Sequence, residues 1–192
     1  MRSPVVDLLA DLVAALDNAK VLWYLFGAQA AILYGAARLT ADVDVTVRLP
    51  DDMSHAMLAA IVERHGFRQR IADPAFIERT SVVPFVHVPT TMPLDIVIAG
   101  PGIEDLFFDR VVVREIDGVR IRVASPEDLT VMKVLAGRPK DLDDVVAILA
   151  AAREEIDIGY VRGTLRLLEE ALAQSDLVPV FEQILHRARG IG

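Results

Sequence analysis

The sequence contains no cysteine, a single tryptophan and only 6% aromatic residues. The absence of cysteine excludes disulfide bonds, thiolate nucleophiles, Cys-ligated zinc and iron–sulfur clusters, so any metal must be held by oxygen or histidine ligands. Basic residues are also in the minority, with 20 Lys and Arg against 28 Asp and Glu and a formal net charge of −8. That charge has the wrong sign for a protein that coats nucleic acid with its whole surface.

Long apolar segments and several common motifs are missing as well. The N-terminal segment is interrupted by Asp7, Asp11 and Asp17, so it resembles neither a secretory signal nor a membrane span. We therefore expect a cytoplasmic protein with no membrane partner. The sequence has no phosphate-binding P-loop, no serine nucleophile elbow and no H-x-x-x-H pattern. Four histidines are scattered along the chain and predict no zinc site: His55, His65, His87 and His186.

The 192 residues are 53% hydrophobic, which is enough to build a core in a chain of this length. Apolar periodicity and turn signals divide the chain into helices and strands. The predicted helices cover residues 4–19, 29–34, about 50–66, 125–136, 141–152, 159–173 and 178–189, and the predicted strands cover 21–26, 42–47, 67–71, 82–88, 94–98, 111–116 and 119–123. This order predicts an α+β fold with a mixed sheet flanked by helices over residues 1–124 and a helical region over 125–192 packed on it.

Two local signals give finer predictions about the strands. Asp117-Gly118 separates two β-rich runs and is a strong two-residue hairpin signal. Pro84 interrupts the run 82–88, and a proline cannot donate a ladder hydrogen bond, so we expect that run to be an edge strand or to start late.

Three aspartates carry the strongest chemical signal. Asp42 and Asp44 lie two apart on a predicted strand, so their carboxylates project from one face about 7 Å apart. Like charges this close resist joint ionisation unless a cation lies between them, and Mg²⁺ prefers oxygen ligands. Asp95 lies at the start of a second strand, and if the two strands are neighbours the three acids converge on one metal site. In isolation, such a pair of aspartates is more often a solvated turn or a helix cap.

The segment before this pair raises the odds of a functional site. A predicted strand ends in Gly27-Ala28, and the chain then forms a helix and delivers Arg38 and Thr40 just ahead of the aspartates. Glycine at a strand-to-helix turn lets backbone N–H groups approach a phosphate.

Two blocks of sequence together resemble a known signature. The first is Phe26-Gly27-Ala28-Gln29-Ala30-Ala31, continued by Tyr34-Gly35-Ala36-Ala37-Arg38-Leu39-Thr40-Ala41-Asp42-Val43-Asp44. The second is Ser125-Pro126-Glu127-Asp128-Leu129 with Lys133, continued by Ala136-Gly137-Arg138-Pro139-Lys140-Asp141-Leu142-Asp143-Asp144. The chain resembles the polymerase-beta-like nucleotidyltransferase superfamily, in particular its minimal and AbiEii-like families, over about a quarter of its length.

The resemblance implies a fold, an activity and a role for each matching residue. The fold would be the mixed nucleotidyltransferase sheet, and the activity Mg²⁺-dependent transfer of a nucleoside monophosphate from an NTP to a hydroxyl of an RNA or protein acceptor. Asp42, Asp44 and Asp95 would be the catalytic and metal-binding acids, with Asp95 activating the acceptor hydroxyl. Nucleotide binding would use six further positions: Gly27, Ala28, Arg38, Thr40, Lys133 and Arg138. AbiEii-like proteins suggest a toxin with a cognate antitoxin as partner.

One position departs from the family pattern. The family commonly has Gly-Ser where this chain has Gly27-Ala28, so one hydroxyl contact to a phosphate is missing. A neutral hydrogen bond contributes about 0.5–1.5 kcal/mol, so its loss is expected to reduce activity without abolishing it.

Other interpretations of the same residues stay open. Lys133 is also typical of a solvated lysine on an amphipathic helix, and Arg38 of an ion-pair partner for Asp42 or Asp44. A surface ion-pair cluster is an equal alternative for Arg138, Lys140, Asp141 and Asp144. For the whole chain, the alternatives are a non-catalytic nucleotide-binding or partner-binding relative of the same fold, and a scaffold that docks a partner on the apolar face of residues 159–189.

Overall fold

The computed structural model describes residues 2–152 and 155–190. It divides into two compact units, one comprising Met1–Gln29 and Thr40–Ala124 and the other Ala30–Leu39 and Ser125–Gly192. The sequence-based division after residue 124 puts residues 30–39 in the first domain, whereas in the structure they group with the C-terminal helices.

The first unit is built around a mixed sheet. Its strands, within the described residues, are β1 (Leu22–Phe26), β2 (Val43–Arg48), β3 (Phe67–Gln69), β4 (Val82–His87), β5 (Pro93–Ile98), β6 (Val112–Ile116) and β7 (Val119–Val123). Its helices are α1 (Pro4–Asn18), the start of α2 (Gly27–Leu33), α3 (His55–Glu63), α4 (Pro74–Thr80) and α5 (Ile103–Phe108). These elements confirm the α+β fold with a mixed sheet.

The strand order is β3-β4-β5-β2-β1-β7-β6. Strand β2 is antiparallel to β1 and parallel to β5, and β1 is parallel to β7. Alternation along β2 fixes which face is buried, because Val43, Val45 and Val47 are fully buried while the residues between them point to the other face. The polar residues of β2 and β5 are thereby directed to one side of the sheet.

The prediction for the proline-containing strand is wrong, because β4 lies inside the sheet between β3 and β5. The Pro84 carbonyl accepts a hydrogen bond of 2.8 Å from the backbone N–H of Arg70, one residue past the end of β3. The missing N–H of Pro84 thus falls on the side where the three-residue β3 has already ended, and no ladder donor is lost there.

Several short elements also differ from the sequence-based expectations. Helix α3 begins at His55, where the Ser54 side chain caps it, rather than near residue 50. Helices α4 and α5 were not predicted, since seven and six residues are too short for a helical apolar period to emerge. The hairpin is confirmed, with both Asp117 and Gly118 at positive φ.

The second unit is helical. It contains α6 (Pro126–Ala136), α7 (Pro139–Ala152), α8 (Ile158–Leu172) and α9 (Leu177–Arg189). Ser125 caps α6 by accepting from the Asp128 N–H, and Gly137 ends the helix in the left-handed conformation. These predicted helices are confirmed. Across residues 2–152 and 155–190, no helix has both the length and the apolar character that crossing a bilayer requires.

Candidate active site

Asp44 and Asp95 are direct neighbours in the sheet of the first unit. They are register partners on the parallel strands β2 and β5, so their side chains leave the same face of the sheet on strands about 4.8 Å apart. The flanking residues Val43 and Leu94 are also register partners and are fully buried on the opposite face. Core packing on one face therefore forces both carboxylates onto the other.

Asp42 lies one residue before β2 and is exposed. The Thr40 hydroxyl donates a short hydrogen bond to its carboxylate. Thr40, which the resemblance assigns to nucleotide binding, thus acts in this structure as a partner of the first aspartate, and its contact with a nucleotide stays a prediction.

Gly27 sits against the Asp44 side chain. It directly follows β1, whose last residue Phe26 is the register partner of Asp44. Its φ is +69°, and a Cβ placed on it would lie 2.9 Å from the Asp44 Cγ and closer still to a carboxylate oxygen. Glycine is required here both by the backbone angle and by the approach of the carboxylate. Ala28, the next residue, is buried.

Asp95 has a partner that the sequence did not reveal. The Arg70 guanidinium lies 2.5 Å from the Asp95 Oδ1, and both side chains are partly exposed. Arg70 follows β3, and no local pattern in the sequence distinguishes it from other surface arginines. Only the strand order, which brings β3 within two positions of β5, reveals the pair.

The three acids supply the right donor atoms for a hard divalent cation. Carboxylate oxygens are the ligands that Mg²⁺ prefers, and Asp44 leaves the sheet beside Asp95 with Gly27 making room for its carboxylate. The side chains as they stand are not gathered into a cage: within the described ranges, no group of three or more His, Asp or Glu is arranged so that it could hold a metal ion. Asp42 is engaged by Thr40 and Asp95 by Arg70.

The predicted nucleotide-binding cations Lys133, Arg38 and Arg138 lie in the second unit, in an ionic cluster around two buried carboxylates; Lys133 is buried and Arg138 is exposed. The Lys133 ammonium is only 4% exposed and lies 2.7 Å from Asp144 and 3.2 Å from Asp141. Arg38 lies 3.0 Å from Asp144. Arg138 bonds to Asp141.

The electrostatics of this cluster favour its charged form. Burial alone would raise the pKa of Asp141, but the hydrogen bond from Arg138 and the nearby charge of Lys133 outweigh it and lower that pKa. Of the alternative surface ion-pair cluster, the pair between Arg138 and Asp141 forms, but Asp141 and Asp144 are buried and do not lie at the surface. The roles of Lys133, Arg38 and Arg138 toward a nucleotide stay predictions.

The predicted helix-start acids of α6 hold helices together. The Glu127 side chain accepts from the Asp157 N–H at 3.0 Å, and the buried Asp128 accepts from the Tyr160 hydroxyl at 2.7 Å. Both link α6 to the start of α8, which the sequence did not reveal because the partners lie about 30 residues downstream.

Residues 5–177 match the model of a family described as "Nucleotidyltransferase of unknown function (DUF6036)". The chain belongs to this family. It is therefore a nucleotidyl-transfer enzyme, which favours catalysis over the non-catalytic alternative. The resemblance is confirmed for the nucleotidyltransferase superfamily but not for its AbiEii-like family. No curated protein sequence is a significant match.

Solved structures share the fold at low sequence identity. The antibiotic-resistance factor ANT(2'')-Ia in solution is 18% identical, with a TM-score of 0.60, covering 90% of this chain and 97% of that chain. An antigenic nucleotidyltransferase-like protein from Paracoccidioides brasiliensis is 15% identical, with a TM-score of 0.60, covering 94% and 92%. ANT(2'')-Ia in complex with adenylyl-2''-tobramycin is 19% identical, with a TM-score of 0.57, covering 85% and 98%. These likenesses concern the fold.

Proposed function

We propose that this member of the family transfers a nucleoside monophosphate from an NTP to an acceptor hydroxyl, in a reaction that depends on Mg²⁺ bound by Asp42, Asp44 and Asp95. The observation that carries the proposal is the register pairing of Asp44 with Asp95, with Gly27 packed on the Asp44 carboxylate. Adjacent acids on one face of a sheet repel each other, and a nearby positive charge, such as a divalent cation that both carboxylates bind, relieves that repulsion.

The proposed chemistry assigns a different task to each residue. A divalent cation, when bound, would stabilise charge on the phosphates and on the attacking and leaving oxygens. Asp42 and Asp44 would hold it through their carboxylate oxygens. Asp95 would accept the proton of the acceptor hydroxyl as the hydroxyl oxygen forms a bond to the α-phosphorus. At the same time the bond between the α-phosphorus and the oxygen that bridges it to the β-phosphorus would break, and pyrophosphate would leave. Gly27 and Ala28 would lie against the phosphates, as the resemblance implies.

The acceptor class is a finer part of the proposal. The formal net charge of −8 disfavours a polyanionic acceptor such as RNA and favours a neutral or cationic one. A protein acceptor, which the AbiEii-like resemblance suggests for a toxin with a cognate antitoxin, fits this charge. So does a small cationic molecule of the kind carried by ANT(2'')-Ia in its complex with adenylyl-2''-tobramycin.

A labelling assay tests the proposal. The purified protein is incubated with Mg²⁺ and each of four α-labelled NTPs, against tobramycin, total RNA and a protein lysate as separate acceptors. We expect label in at least one acceptor, and Asp44→Asn should reduce the rate by about 10²-fold or more, as loss of a key electrostatic group does.

The matched control is Asp52→Asn, which removes an equal charge from an exposed position in the same unit. It should retain the wild-type rate within about twofold. Equal labelling by wild type and Asp44→Asn, or no labelling and no NTP binding by wild type, would contradict the proposal.

A further inference from the structure

Arg70 and Asp95 are connected across the sheet through Pro84. Pro84 is the register partner of Asp95 on β4 and β5, and its carbonyl accepts from the Arg70 backbone N–H. The three residues are therefore consecutive neighbours across the strands. The Arg70 side chain spans β4 to place its guanidinium 2.5 Å from the Asp95 Oδ1.

This ion pair is easily broken in energetic terms. The side chains of Arg70 and Asp95 are 41% and 36% exposed, so water solvates both charges when they separate. Exposed pairs of this kind contribute little to folding stability. A stronger competitor for the Asp95 oxygen can therefore displace the guanidinium without unfolding the sheet.

Asp95, which Arg70 engages, is also the third acid of the proposed cation site. A guanidinium on Asp95 competes for a ligand oxygen and repels a divalent cation approaching from the adjacent Asp44. This agrees with the side-chain arrangement, in which Asp95 is turned to Arg70 and the acids of the described residues form no closed metal cage.

We propose that Arg70 is a positioning residue and a displaceable counter-ion of Asp95: it holds the carboxylate while no cation is bound and releases it when a divalent cation enters. The inference rests on the proposed function, since it assigns Asp95 to the cation site. Arg70 thereby offsets the repulsion between Asp44 and Asp95 in the empty site. It also sets the cation concentration at which the site fills.

Direct cation binding tests this role without relying on activity. Mn²⁺, which shares the preference of Mg²⁺ for oxygen ligands, is titrated into the full chain and followed by electron paramagnetic resonance. Arg70→Gln should bind Mn²⁺ roughly 3- to 10-fold more tightly than wild type, since a repelling and competing charge is gone. Arg70→Lys, which keeps a positive charge, should restore weaker binding.

Arg68→Gln is the matched control, because Arg68 is an exposed arginine on β3 two residues away. It should change the affinity by less than about twofold, since the structure pairs Asp95 with Arg70 and not with Arg68, whose exposed charge is screened by solvent and salt. Tighter binding in both glutamine variants would show a general charge effect and overturn the proposal. Weaker or unchanged Mn²⁺ binding in Arg70→Gln would also overturn the proposal, because replacing an arginine with a purely structural role would not make the site bind more tightly.

A further variant separates this inference from the proposed function. If Asp44→Asn abolishes Mn²⁺ binding while Arg70→Gln matches Arg68→Gln, the cation site exists and only the role of Arg70 fails. If neither wild type nor Arg70→Gln binds Mn²⁺, both proposals fail. Binding by Arg70→Gln alone would show that Arg70 blocks the site and is not displaced by a cation, which would overturn the release mechanism.

Discussion

Replacing Lys133 with methionine isolates the charge at the centre of the buried cluster. The methionine keeps most of the apolar stem and removes the ammonium that lies 2.7 Å from Asp144 and 3.2 Å from Asp141. The two carboxylates stay buried, each with one arginine still bound, Arg38 on Asp144 and Arg138 on Asp141.

The expected loss of stability follows from this arrangement. Removing one partner of a buried ion pair costs about 3–5 kcal/mol, because the remaining charge is left without compensation. Each carboxylate here keeps an arginine, so we expect a value near the lower end, about 3 kcal/mol. For a chain of this size such a change lowers Tm by roughly 6–12 °C.

Two probes follow the loss of structure. The single tryptophan, Trp23, lies in the sheet unit and reports its unfolding through fluorescence, whereas far-ultraviolet circular dichroism follows the helices of both units. We expect the dichroism transition in urea to shift strongly in Lys133→Met. Lys140→Met, which removes an exposed lysine at the start of α7, should cost less than about 0.5 kcal/mol.

If Lys133→Met is no less stable than Lys140→Met, the buried pairs do not support the helical unit. A loss of NTP affinity at unchanged stability would instead favour the nucleotide role that the resemblance assigns to Lys133.

Two further predictions concern the other parts of the site and the cluster. Gly27→Ala should lose about 1–2 kcal/mol from its positive φ and should also lose transfer activity, because its Cβ displaces the Asp44 carboxylate. Gly118 has a similar φ but open space around it, so Gly118→Ala should lose similar stability in urea and keep full activity. Equal activity in the two variants would contradict the inference that the close approach of Gly27 to the Asp44 carboxylate matters for transfer. Asp141 has a pKa lowered below 3.8 in the folded state, so its contribution to stability is present above that pH and is lost as the pH falls through the folded value. Acid unfolding of Asp141→Asn should accordingly show a shallower pH dependence below about pH 4 than that of wild type.

Much of the fold was predictable because its signals are local. The Asp117-Gly118 turn and the cap at Ser125 each specify their own structure within a few residues. The position of β4 was not predictable, because the tolerance for Pro84 depends on β3 ending early, which is a property of a neighbouring strand.

In the candidate site, too, some features were predictable from local sequence and others depend on long-range packing. The sequence predicted that Asp44 and Asp95 would converge if their two strands were neighbours, and the sheet makes them register partners. The partners of the charged groups were not predictable. Arg70 reaches Asp95 across 25 residues of sequence, and Arg38 reaches Asp144 across 106. Such pairs depend on which strands and helices pack together.

The most direct test of a shared catalytic centre is a double-mutant cycle on the rate of Mg²⁺-dependent nucleotidyl transfer. Asp44→Asn and Asp95→Asn should each reduce the rate by about 10²-fold or more, and the double variant should be little worse than the poorer single one, because residues that act as a unit have non-additive effects. Losses that multiply in the double variant would show two aspartates acting independently and would contradict the account.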